Sequence, residues 1–320
     1  MESEDFVLDL AEEVVFNDFT DNNKVGAIAG GVGALYAIGA LGIASGPITI
    51  PLVLLAGGVL AGASGESSIK NAIVKGVSKL LGIHSAEDYF QQGLNNLKNS
   101  LTQEALQNFT NAINKNPNYL EAYFMRGSIY SDSGEYNNAI SDYTSVLLIN
   151  PKHIDACKQR GHIYAGQKKY DHAILDYTRS IELNSNDADI FYRRGQLYIA
   201  IEKYQNAIND YNQVIRIKPD CIDAYFYKAD LLTLQRDFRG GIKNYTKVIN
   251  LDYRYTAAYV KRGYIYKHRK QFKEAITDFN NAIKLLQAKS MKSEVKTLKK
   301  EIETLEKEMQ NTPWWQMRIF

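Results

Sequence analysis

Cysteine is nearly missing from this 320-residue chain. The two present, Cys157 and Cys221, form no CxxC pair, which excludes a disulfide framework and a cysteine-based zinc site and suits a reducing compartment. An excess of charge is missing too: 38 basic against 36 acidic residues leave a net +2, so no overall field draws the chain to nucleic acid. The opening 23 residues hold eight acids and no base before Lys24, and so lack the positive start of a secretory signal. There is no P-loop, no HExxH and no GxSxG elbow, and the histidines at 84, 153, 162, 172 and 268 show no ligand spacing with cysteines or carboxylates. The pair Gly31 and Gly33 follows no expected strand and lacks a third glycine, which removes a dinucleotide fingerprint. These absences leave no catalytic residue, cofactor or metal ligand to name, and they point away from an enzyme.

What the chain does have is a period of 34 residues. Gly93, Gly127, Gly161, Gly195 and Gly263 share one register, with Ala229 in the missing step. Three residues later stand Tyr130, Tyr164, Tyr198 and Tyr266; twelve later, Ala105, Ala139, Ala173, Ala207 and Ala275. Sixteen later an aromatic occurs in every unit: Phe109, Tyr143, Tyr177, Tyr211, Tyr245 and Phe279. Pro117, Pro151 and Pro219 fall between units, where a residue without an N–H suits a break between helices.

These positions together resemble the tetratricopeptide repeat (TPR) family over residues 86–289, six units in all. The resemblance implies an all-α, right-handed solenoid of paired antiparallel helices closed by a C-terminal capping helix. The physical pattern agrees: small residues let two helices approach closely, the aromatic fills the space between pairs, and stacking supplies the core that one hairpin lacks. Unit five departs, with Leu232 for the tyrosine and Gly240–Gly241 at the alanine position, and is expected to be the softest point of the array.

By the same resemblance, the fifth and ninth positions of each first helix line a groove that binds a protein or peptide. The fifth positions are Phe90, Phe124, Lys158, Tyr192, Phe226 and Val260; the ninth are Leu94, Ser128, His162, Gln196, Asp230 and Tyr264. This implies aromatic anchors at intervals around a polar middle, suited to an extended or helical peptide. The family's carboxylate-gripping set of lysine and asparagine is absent. Acids at the second helical position, Glu87, Glu121, Asp155, Asp189 and Asp223, are read as first-turn residues favoured by the helix dipole.

From Val25 to Gly65 there are 41 residues without a charge, holding 11 of the 22 glycines. A first arm long enough to span ~30 Å of hydrocarbon, a turn at Gly46–Pro47 and a shorter second arm predict a hydrophobic helical hairpin that re-enters or spans a membrane, with burial in a soluble oligomer as the alternative. Gly26 with Gly30, Gly42 with Gly46, and Gly58 with Gly62 have the spacing that packs helices in lipid. Residues 66–85 read as a basic amphipathic connector, with Lys70, Lys75 and Lys79 toward an anionic lipid surface or with its apolar face capping the first repeat. Residues 1–24 read as an acidic amphipathic helix, with Val7, Leu10, Ala11, Val14 and Val15 on one face for the protein itself or a second copy.

After the sixth unit, Met291, Val295, Leu298, Ile302, Leu305 and Met309 form a short apolar seam within residues 290–320, read as a helix closing the last repeat or as a homo-oligomeric coiled coil. Trp314 and Trp315 follow it in an apolar tail that suits a membrane interface or a groove. The whole predicts a membrane-tethered adaptor with its repeats on the cytoplasmic side. The alternative is a membrane-active effector whose hairpin is shielded and then inserted into or permeabilises lipid.

Overall fold

The computed structural model describes residues 84–311. The expected acidic helix, the glycine-rich hairpin with its six paired glycines, the connector with Lys70, Lys75 and Lys79, and the tail with Trp314 and Trp315 lie outside the described residues.

Within them the chain forms thirteen helices. They are α1 (Ala86–Lys98), α2 (Thr102–Lys115), α3 (Leu120–Asp132), α4 (Tyr136–Ile149), α5 (Ile154–Gly166) and α6 (Tyr170–Leu183). There follow α7 (Ala188–Ala200), α8 (Tyr204–Ile217), α9 (Ile222–Leu234), α10 (Phe238–Leu251), α11 (Thr256–His268), α12 (Phe272–Ala288) and α13 (Lys292–Asn311). Two compact units divide after Arg126, within α3.

The first unit holds the α1–α2 pair. Ser85 opens α1 with a capping box: its side chain accepts from the Asp88 N–H while the Asp88 carboxylate accepts from the Ser85 N–H. Gly93 then faces Phe109 so closely that a methyl group there would lie 2.6 Å from the ring.

The second unit repeats this plan. Consecutive helices are antiparallel within each pair, and each pair packs on the next through α4–α5, α6–α7, α8–α9 and α10–α11. Three-residue links inside the pairs carry a left-handed residue: Lys168, Glu202, Arg236 and Lys270 have φ of 57 to 63°. Two reversed hydrogen bonds close each turn, for example Lys203 N to Tyr198 O at 2.8 Å and Glu202 N to Ile199 O at 3.0 Å. Gly134 holds this position in the turn before α4 at φ 78°. The others accept a conformation that costs a side-chain-bearing residue about 1–2 kcal/mol.

The aromatic series fills the core as the period requires: Tyr143, Tyr177, Tyr211, Tyr245 and Phe279 are at most 1% exposed. Added methyls at Gly161 and Gly263 would lie 2.8 and 2.6 Å from Tyr177 and Phe279. The α9–α10 pair exchanges the two small residues, with Ala229 on the first helix and Gly241 on the second, and a methyl at Gly241 would lie 2.5 Å from Thr233 Oγ1. The close approach in this pair is thus at Gly241, against Thr233 and Ile265, and not at the usual glycine position. At the far end α13 lays Leu298, Ile302 and Leu305 on the α12 residues Phe279, Ile283 and Leu286, so the apolar seam closes the last pair.

Candidate peptide-binding face

In the second unit the first helices of successive pairs are linked side chain to side chain, by Lys261 to Asp230 and by Tyr192 to Tyr227. Position nine rests on the buried aromatic of its own pair. The Tyr143 hydroxyl donates to Ser128 Oγ at 3.2 Å, His162 stands edge-on to Tyr177 at 5.6 Å, and Tyr264 stands edge-on to Phe279 at 5.1 Å. Tyr245 donates its hydroxyl to Asp230.

Position five is governed by a residue 29 further along, at the start of the next pair. In the first unit Tyr119 covers Phe90, with ring centroids 5.1 Å apart, and donates its hydroxyl to Glu87. In the second, Tyr255 covers Phe226 at 5.0 Å and Asp187 pairs with Lys158 at 2.5 Å. Tyr192 is answered only by the small Cys221, and its ring meets Tyr227 and Tyr211 edge-on at 6.1 and 5.8 Å. Phe90 and Phe226 are consequently 9% and 8% exposed and form the floor of the face. Lys261 roofs Phe226, its Nζ 4.9 Å from the ring. Leu94, Phe124, Ser128, Lys158, His162, Tyr192, Val260 and Asp230 are half-buried, and Gln196 and Tyr264 are exposed.

The charges of the face are mutually compensated. Burial raises the Asp187 carboxyl, but the Lys158 ammonium and two backbone N–H groups at the start of α7 outweigh it and hold it below its ordinary value. Asp230 accepts both Lys261 contacts, at 2.6 and 2.7 Å. Arg193 donates to Asp189 at 2.7 Å. Burial, then the nearby Arg193 cation, lowers the His162 imidazole and keeps it neutral, with Nε2 buried and without a partner among the described residues. What remains for a ligand is aromatic surface at Tyr192 and Tyr264 with neutral polar groups between. No nucleophile and base stand together here, and among the described residues no cluster of histidine, cysteine or carboxylate fits a metal ion.

A second periodic network lies beneath this face. Arg160 donates Nε and Nη2 to Asp176 at 2.8 and 2.7 Å, and Nη1 to Thr144 of the preceding pair at 2.9 Å. Arg194 with Asp210 and Thr178, and Arg262 with Asp278 and Thr246, repeat it. Each arginine thus clamps its own second helix to that of the pair before. At α9–α10 the set is Lys228, Asn244 and Asn212; Asn244 turns to donate to Gly240 O, and burial, then Lys243, lowers the Lys228 ammonium. Both the 29-residue cover and the clamp escape a reading of one unit at a time, although each recurs at the repeat spacing.

With this geometry the chain is a TPR protein over residues 120–285. Tetratricopeptide repeat models match residues 120–153, 154–187, 188–221 and 256–285, four of the six expected units, leaving out the α1–α2 pair and the pair with the broken clamp. Among solved structures, the chain is similar to the MamA protein (22% identity, TM-score 0.51, 54% of this chain and 94% of that one). It is also similar to YrrB, described as a TPR protein with an unusual peptide-binding site (19% identity, TM-score 0.50, 57% of this chain and 97% of that one). A third is the C-terminal part of a TPR protein from Cytophaga hutchinsonii (19% identity, TM-score 0.55, 67% and 89%). At these identities the likeness shows the fold alone. No curated protein matches the chain in sequence.

Proposed function

We propose that the repeats are a protein-interaction scaffold whose first-helix face holds an extended or helical segment of a partner. One observation carries this reading: the aromatic series of the second helices is wholly buried, whereas Tyr192 and Tyr264 keep surface on the face where charges already have partners. Such a face favours spaced apolar or aromatic side chains over a charged tail. YrrB, with its peptide-binding site, is a precedent for the fold. The test is selection of a binding peptide from a displayed random library with the full chain. Tyr192→Ala and Tyr264→Ala should each weaken it at least tenfold, and Leu175→Ala, on the second-helix side, should leave it unchanged. Equal losses at all three positions would overturn the assignment.

The run of 41 uncharged residues supports a tether as the second part of the proposal, a membrane hairpin with the repeats on its cytoplasmic face. Among the described residues no helix is long and apolar enough to cross a membrane, so the tether rests on residues 25–65 alone. Flotation with anionic liposomes of the full chain and of a form lacking 25–65 separates the cases. Binding of the full chain alone to sealed vesicles supports the tether, binding with dye release supports the effector, and an unbound chain contradicts both.

A further inference from the structure

The closing helix carries a face that the packing of the repeats does not use. Lys292, Lys296, Lys299 and Lys300 are exposed along α13, and their ammonium groups have no ion pair or hydrogen bond among the described residues. On the same helix Glu301 pairs with Lys267 at 2.6 Å, so local partners are taken where they exist. Lys292, in the first turn of α13, opposes the helix dipole and so does not serve the helix itself. The four lysines rim a shallow depression of about 750 Å³ with Met291 and Val295 in its lining and Glu303 as its one acid. Met291 is 38% exposed, the member of the apolar seam left out of the α12 contact.

We infer that this basic depression receives the acidic opening segment, residues 1–23, of a second copy of the chain. The complementarity is on both counts. That segment has eight acids and no base, and Val7, Leu10, Ala11, Val14 and Val15 recur at a spacing that forms one apolar strip, matched to a floor of Met291 and Val295 between lysines. A concave surface takes a ridge of side chains, whereas a flat bilayer would touch only its rim. Within the second unit the depression lies beyond α12, at the end of the row away from Gly127 where the chain enters. Docking of a neighbouring molecule's opening segment on the closing helix would give head-to-tail association.

Carbodiimide, which joins a carboxylate to an amine only in direct contact, tests this on a mixture of unlabelled and ¹⁵N-labelled full chain. The Lys267–Glu301 and Lys261–Asp230 pairs, both at 2.6 Å, are internal references. Light–heavy links should join peptides within 1–23 to peptides within 292–300. They should vanish in K296E/K299E/K300E and return when that variant is mixed with a chain in which Glu2, Glu4, Glu12 and Glu13 are changed to lysine. Reference links without these cross-links, or cross-links confined to one isotope, would overturn the inference. So would lysine-dependent flotation on phosphatidylserine vesicles without the cross-links, which assigns the face to lipid.

Discussion

Replacing Arg194 by methionine keeps the side-chain stem but removes both bonds to Asp210, at 2.9 and 2.7 Å, and the one to Thr178 at 2.9 Å. Asp210 is 3% exposed and is left as a buried charge without its counter-ion, a loss of about 3–5 kcal/mol. Thr178 keeps its bond to Ile174 O and adds little to the cost. A second change, Asp210→Leu, removes the stranded charge and should restore most of the loss, because a buried pair replaced by apolar groups is often neutral. Burial already pushes the Asp210 carboxyl up, against the pull of Arg194; without the arginine it rises further. A raised carboxyl keeps its proton in the folded state, so the penalty of R194M is smallest at low pH and grows as pH rises through that pKa. Tandem pairs unfold in stages, so the readout is amide exchange in α7 and α8, accelerated roughly 10²- to 10⁴-fold at pH 7. Lys228→Met is the control: with Asn244 opposite and an ammonium already lowered by burial, it should change exchange in α9 and α10 by less than about 1 kcal/mol. Equal effects of R194M and K228M would refute the clamp.

Gly263→Ala places a methyl 2.6 Å from Phe279 and should cost about 1–3 kcal/mol, whereas Gly166→Ala, with nothing within 4 Å at the end of α5, should gain up to ~1 kcal/mol; urea midpoints report both. Glu202→Gly relieves a φ of 59° and, net of the greater freedom of unfolded glycine, should stabilise by about 0.5–1 kcal/mol in thermal unfolding. His162 is held neutral by burial, so the unfolded chain takes the proton first and stability should fall as pH drops below about 6.5; His162→Gln should flatten that part of the pH profile. Without its clamp, the α9–α10 pair should exchange amides faster than α7–α8, and residues 238–250 appearing as the slowest helix of the repeats would contradict this.

Periodicity specifies the helix pairs and the buried aromatics, because each follows from side-chain size at a fixed register, whereas the α13 seam suits a closing helix and a coiled coil alike and is decided by its packing on α12. The face is less legible. A single unit marks Phe90 and Phe226 as groove anchors, yet Tyr119 and Tyr255, each 29 residues on and in the next pair, cover them. Lys158 is likewise taken by Asp187. Such contacts belong to the interface between units and emerge only when two units are read side by side. The clamp has the same origin: Arg160, Arg194 and Arg262 are as regular as the glycines, but their meaning depends on an aspartate 16 residues later and a threonine 16 earlier, in different helices. Gly241 shows the converse: a residue that reads as a defect in the sequence fits a site where a methyl group would lie 2.5 Å from Thr233 Oγ1.

Hydroxyl-radical footprinting of the full chain, with and without a selected peptide, tests the central claim most directly. Protection should centre on Tyr192 and Tyr264, while Tyr136, Leu175 and Tyr253, exposed elsewhere, keep their reactivity. Protection at Tyr136, Leu175 and Tyr253 with Tyr192 and Tyr264 unchanged would place the ligand away from the first helices and contradict the account.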